Sequence, residues 1–249
     1  MPAGTHTSKI YEQELRVLRE KLLLMGSLVE EMIGKGEAAL RTRDTPLAQA
    51  TMRLDRRINR LECEVDELAM RILAIRQPVA SDLRFITIAL KIVTDLERVG
   101  DLCVNICERV IELNEEPPLQ IARRPGTDEG DAGDRVWGPE GPVGDLTTLG
   151  DEAIAVVHEA LDALVARDVE KATALLQRDA AIDAHYAQIF HHLLDLMASD
   201  PSSIYRATRV QSIAKYLERI ADHAMNIAET VVFLVKGTDI RHARSGHRD

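Results

Sequence analysis

Leu96-Glu97-Arg98-Val99-Gly100-Asp101, followed by Asn105-Ile106, Glu108 and Val110, returns later in the chain as Leu217-Glu218-Arg219-Ile220-Ala221-Asp222, followed by Asn226-Ile227, Glu229 and Val231. Eight of the fifteen positions from 96 to 110 are identical in the second passage, including both acids, the Arg and the Asn. Agreement over so long a window identifies an internal repeat, so a site present in the first half is expected again in the second.

Around this repeat the composition is that of a helical protein. In 249 residues aromatics make up only 3%, and Leu, Ala, Glu, Arg and Ile dominate. That balance, with Gly and Pro confined mostly to a few clusters, predicts an all-α fold of one large or two ordinary domains. A formal net charge of -10 repels phosphate backbones and anionic headgroups, so nucleic acid is not an expected partner. No apolar run approaches the roughly 20 residues that cross a bilayer. The first residues, Met1-Pro2-Ala3-Gly4, lack the basic and apolar regions of a signal peptide, and a cytoplasmic location is expected. Three cysteines, with Cys103 and Cys107 one helical turn apart, suggest buried thiols and neither a disulfide framework nor a zinc knuckle.

The apolar period divides the chain into two sets of three helices. Leu15, Leu18, Leu22, Met25, Val29 and Met32 form the seam of a first helix running from Tyr11 to about Arg41. Asp44-Thr45-Pro46 caps a second, which continues through Leu54, Ile58, Leu61, Val65, Leu68 and Ile72 until Pro78 stops it. Ser81 and Asp82 are placed to cap a third, from Leu83 to Leu113. The second set reads as Leu146 to Ala166, Asp168 to Ala198 and Ser202 to Val235, with Asp200-Pro201 breaking the chain as Pro78 does. The expected organisation is a first repeat at 8–115, a Pro/Gly/Asp-rich flexible linker at 116–145, a second repeat at 146–236 and a basic tail at 237–249.

Any ligand chemistry is expected on the third helices. At about 100° per residue, Glu97, Asp101, Asn105 and Glu108 share an arc of about 80°, with Leu96, Val99, Cys103, Ile106 and Val110 roughly opposite. Glu218, Asp222, Asn226 and Glu229 repeat the stripe. On this geometry the acids face away from the core. Carboxylates at i and i+4 repel by a few tenths of a kcal/mol, a cost that a bound cation reverses. The second helices carry acids at the same spacing, Asp179 with Asp183 and Asp55 with Asn59. Antiparallel packing would join them to the third-helix pairs as oxygen-ligand sites suited to Mg, Mn, Ca or ferric iron. The plainer reading is a solvated acidic face with Arg98 and Arg219 as salt-bridge partners. Leu90 and Val93, beside the stripe, read as a contact surface or as packing against a neighbouring helix.

L-E-R-[IV]-[GA]-D-x-x-x-N-I, twice per chain, resembles the PhoU family of phosphate-transport accessory proteins. Arg76-Gln77-Pro78-Val79-Ala80-Ser81-Asp82-Leu83-Arg84 and Val235-Lys236-Gly237-Thr238-Asp239-Ile240-Arg241-His242 are also similar to that family. The resemblance implies two three-helix bundles in tandem, with metal-binding acids carried over to Glu97 and Asp101 in one bundle and Glu218 and Asp222 in the other. Asp55, Asp179 and Asp183 are the second-helix contributors. Asn59 stands where the second repeat has Asp183, and Ala221 where the first has Gly100. The implied role is a negative regulator of the phosphate-starvation response, without catalysis. Its implied partners are the ATPase subunit of the phosphate ABC transporter, the sensor histidine kinase of the phosphate two-component system and a second copy of the chain, with membrane contact only through partners. Two other classes compete: a ligand-free helical scaffold, and a carboxylate-bridged metal enzyme of the ferritin-like kind. The latter would use Glu-x-x-His motifs, which the sequence lacks.

Overall fold

In the computed structural model residues 4–119 and 142–237 are described, and they contain helices without strands. The elements are α1 (Gly4–Thr42), α2 (Thr45–Met52), α3 (Asp55–Arg76), α4 (Ala80–Asn114), α5 (Pro142–Ala166), α6 (Val169–Leu175), α7 (Asp179–Ser199) and α8 (Ile204–Lys236), with a 3-10 turn at Pro201–Ser203 before α8. Residues 120–141 of the expected linker and 238–249 of the expected tail lie outside the described residues, and α5 already begins at Pro142.

Each second helix is broken, where the sequence predicts a continuous one. Leu54 N–H reaches Thr51 O at 2.9 Å and Arg57 N–H reaches Leu54 O at 2.8 Å, three residues back instead of four. Gln177 and Arg178 do the same to Ala174 and Leu175 at 3.2 and 3.0 Å. This tightening bends the chain without leaving the helical basin, so the apolar period passes through unbroken. The repeat extends to the caps. Arg43 and Arg167 take left-handed backbone at φ 53 and 52. Asp44 then accepts from Leu47 N–H and Asp168 from Lys171 N–H. The expected Ser81/Asp82 cap is not formed. α4 starts at Ala80, three residues earlier than expected, after Val79, and Asp82 instead accepts from Tyr11 Oη at 2.8 Å, which ties α4 to α1. Desolvation and this carboxylate push the Tyr11 hydroxyl up to about 12.

Within each half the three helical rods bury one apolar stripe apiece: Leu18, Leu22, Met25 and Met32 from α1, Ile58, Val65 and Ile72 from α3, Ile92, Leu96 and Val99 from α4. The halves meet along α4 and α8, the most extensive helix pair, which run antiparallel. Arg84 near the start of α4 donates to Leu234 O in the last turn of α8, and Arg209 near the start of α8 pairs with Glu112 near the end of α4. Val93 is buried and Leu90 packs against the core, so this pair completes internal packing. α1 and α5 cross at Gly26 and Gly150, equivalent places in the repeat. A Cβ at Gly26 would stand 2.7 Å from Leu161 Cδ1, and one at Gly150 would stand 3.3 Å from Glu37 Cγ.

Candidate functional site

The bends in the second helices place the acids. Because α3 and α7 restart at Asp55 and Asp179, both carboxylates lie in a first turn, where unpaired N–H groups and the helix dipole favour negative charge. Asn59 and Asp183 follow one turn later on the same face. α4 and α8 supply Glu97 and Asp101, and Glu218 and Asp222. All seven acids expected from the sequence thus fall into two clusters, one per bundle, each at a seam between second and third helices.

These acids do not simply face away from the core. The side chain of Glu97 is 16% exposed and that of Glu218 is 11% exposed, while Asp101 is 44% exposed. The inner acid of each pair is wedged into the helix seam and the outer one meets solvent. Gly100 allows this closeness in the first bundle, since a Cβ there would stand 3.0 Å from Ile58 Cδ1 and 3.5 Å from Asp55 Oδ1.

In the second bundle one carboxylate oxygen each from Asp179, Asp183 and Asp222 lies within 4.8 Å of the others. Ligands at 2.0–2.6 Å from a Mg or Ca ion stand at most about 5 Å apart, so the three oxygens fit one hard cation. The Asp222 carboxyl is pushed up to about 6, by desolvation first and then by repulsion from Glu218, Asp179 and Asp183, with Lys215 opposing. Asp222 keeps an exposed edge through which an ion can arrive. Lys215 Nζ stands 2.7 Å from both oxygens of Glu218 and 5.1 Å from the centroid of the Tyr186 ring, supplying positive charge at the cluster's inner side.

The first bundle balances its charge differently. Asn59 Nδ2 donates to Asp55 Oδ2 at 2.9 Å, and Arg98 reaches Glu97 at 3.4 Å and Asp101 at 3.1 Å. Glu62, absent from the sequence-based set, joins here. Its carboxyl is raised by desolvation, by Asp66 and by Asp101, and it acts in turn on Glu97. Desolvation and Asp101 also raise Asp55, whose buried Oδ1 has no hydrogen-bond partner. Among the described residues no trio of acids in this bundle converges as Asp179, Asp183 and Asp222 do. Glu62 was findable as the next position of the Asp55/Asn59 stripe, and Lys215 as the residue one turn before Glu218.

The rest of the expected stripe serves other contacts. Asn226 Nδ2 donates to Asp95 Oδ1 at 3.3 Å, and His223 Nδ1 lies 2.9 Å from the same oxygen, both across the α4–α8 seam between the halves. Glu108 pairs with Arg109 at 3.4 Å. Arg219 is exposed and has no salt bridge among the described residues, unlike Arg98. Cys103 and Cys107 are buried, and desolvation raises both thiols, so they are packing groups.

Two repeat-related three-helix bundles, joined through their third helices and each carrying a carboxylate cluster, define a duplicated helical-bundle protein with paired acidic sites. The PhoU domain model matches residues 22–110 and 146–231, one match per bundle. The chain belongs to the PhoU family. A phosphate-specific transport system accessory protein PhoU homolog from Pseudomonas putida is 40% identical over 95% of this chain and 85% of its own length. The Escherichia coli accessory protein PhoU is 30% identical over 98% of this chain and 92% of its own. The crystal structure of PhoU from Pseudomonas aeruginosa superposes with a TM-score of 0.80 at 37% identity, over 92% of this chain and all of that one. The phosphate transport system regulatory protein PhoU from Streptococcus pneumoniae gives 0.77 at 28% identity, over 92% and 98%.

Proposed function

We propose that this chain is a regulatory accessory protein of phosphate uptake. It acts by docking to the ATPase subunit of a phosphate ABC transporter and to a sensor histidine kinase, so that phosphate-starvation genes stay repressed when phosphate is plentiful. The observation that carries this reading is similarity over nearly the whole chain to proteins named as accessory to phosphate-specific transport. The chemistry of the sites agrees with a non-catalytic role. The acids are grouped with Asn59, Arg98 and Lys215, an arrangement that holds charge. No described helix is long and apolar enough to cross a membrane.

Asp179, Asp183 and Asp222, with Glu218 behind them, would hold a hard divalent or ferric cation in the second bundle, and Asp55, Glu97 and Asp101 a weaker one in the first. Such an ion would supply positive charge that cancels the repulsion among the acids. What the chain's own residues do is set the resting balance. Lys215 and Arg98 neutralise one side of each cluster. Occupancy then biases which partner surface forms.

A reporter of phosphate-starvation genes, read in phosphate-replete cells, tests the role. Deletion of the gene is expected to derepress it and the intact chain to restore repression; a reporter that stays repressed after deletion overturns the reading.

A further inference from the structure

We infer that the bend between α2 and α3 carries a docking surface for an acidic segment of a protein partner. Arg53 lies in the bend, and Arg56, Arg57 and Arg60 follow on α3 within about 100° of arc, a face beside the one that bears Asp55 and Asn59. All four arginines are exposed, and among the described residues none forms a salt bridge. The nearest compensation is Glu64, one turn beyond Arg60, and its carboxylate is already held by Lys21. At its α2 end the stripe borders a shallow, largely open groove lined by Gln49, Met52, Arg53 and Arg56.

The internal repeat supplies the control. At the four equivalent positions of the second bundle stand Gln177, Ala180, Ala181 and Ala184, on a helix that restarts after the same kind of bend. The scaffold therefore folds without the arginines. Placing Arg53 with Arg57 and Arg56 with Arg60 at i and i+4 adds like-charge repulsion in a region that gains no internal ion pair for it. Guanidinium groups in such a row match carboxylates two N–H groups at a time, so an acidic peptide laid along the groove is the complementary occupant. A lipid surface fits less well. Among the described residues the stripe is bordered by Met52 and by no large exposed aromatic or leucine that could enter a bilayer.

The test uses the full chain and a fluorescein-labelled dodecapeptide of alternating Asp and Glu, read by anisotropy at low and at physiological salt. The variant Arg53→Gln/Arg56→Ala/Arg57→Ala/Arg60→Ala carries the residues with which the second bundle already folds. A matched control, Lys9→Ala/Arg16→Ala/Arg71→Ala/Lys236→Ala, removes equal charge elsewhere. The expected result is binding to wild type and control, weakened at least tenfold in the stripe variant, and weakened in both binding proteins as salt rises. No binding to wild type, or equal loss in both variants, overturns the inference, because net charge would then account for the effect. Binding to phosphatidylserine vesicles that exceeds peptide binding and is lost with the stripe also overturns it, in favour of a lipid-facing surface. None of these outcomes depends on the reporter result for phosphate regulation.

Discussion

In the first bundle Asn59 donates to Asp55 and Arg98 bridges Glu97 and Asp101, whereas in the second Asp183 takes the place of Asn59 and three carboxylates converge within 4.8 Å, with Lys215 nearby on Glu218. The two sites share a backbone scaffold and differ in a few side chains that decide how negative charge is offset. In the first, Asn59 and Arg98 offset part of the charge, while Asp55 Oδ1 and Glu97 Oε2 stay buried without a hydrogen-bond partner. The other keeps Asp222 pushed up to about 6 and gains most from an added cation. Duplication copied the scaffold; individual substitutions set how each copy offsets its negative charge.

The comparison breaks most directly in metal affinity. Asp179→Ala/Asp183→Ala is expected to weaken Mn²⁺ binding, measured by titration calorimetry, by at least about 100-fold, since it removes two of three converging oxygens. The first-bundle pair Glu97→Ala/Asp101→Ala is expected to change it by less than about threefold. A smaller gain sharpens the contrast in the other direction. Asn59→Asp gives the first bundle the second's residue at that place, and it is expected to raise first-bundle Mn²⁺ affinity about tenfold while lowering the thermal midpoint without metal.

The α1–α5 crossing offers a contrast of about 1–3 kcal/mol. Gly150→Ala is expected to stabilise by about 0.5–1 kcal/mol through helix propensity, because its Cβ meets the flexible Glu37 chain at 3.3 Å and Leu217 Cδ1 at an ordinary 4.0 Å. Gly26→Ala drives a Cβ to 2.7 Å from the buried Leu161 and is expected to cancel that gain or lose about 1–2 kcal/mol by overpacking, seen as a lower midpoint in denaturant. The smallest effect is in pH. Asp222 binds its proton more tightly folded than unfolded, so it favours the fold fully below pH 3.8 and loses that contribution as pH rises to about 6. Metal-free protein is therefore expected to melt at higher temperature near pH 5 than near pH 7.5, a difference that Asp222→Asn reduces. Exposure of Asp222 keeps the size to about 1 kcal/mol or less.

Much of this was readable from residues. The repeated Leu-Glu-Arg block, the apolar seams and the Asp44 cap carry their signals in local spacing, and the structure shows helices and a cap at those places. The bends at Leu54 and Gln177 were hidden because hydrogen bonds shift by one residue while the side-chain period continues. Asp82 could not be recognised as the partner of Tyr11, nor Asp95 as that of His223 and Asn226, because both contacts are made by tertiary packing of helices distant in sequence. For the acidic sites the sequence supplies the residues on each helix. What it lacks is depth: helical angle alone placed Glu97 and Glu218 on an outer face, and the approach of α3 and α7 encloses them.

Metal content of tag-free protein purified without chelator, measured by mass spectrometry for wild type and Glu218→Ala/Asp222→Ala, bears most directly on the second-bundle site. Stoichiometric metal in the wild type that disappears in the double variant is the expected result. Metal retained in the variant, or absent from both, would contradict a cation site there and leave the converging carboxylates as a face for partner proteins.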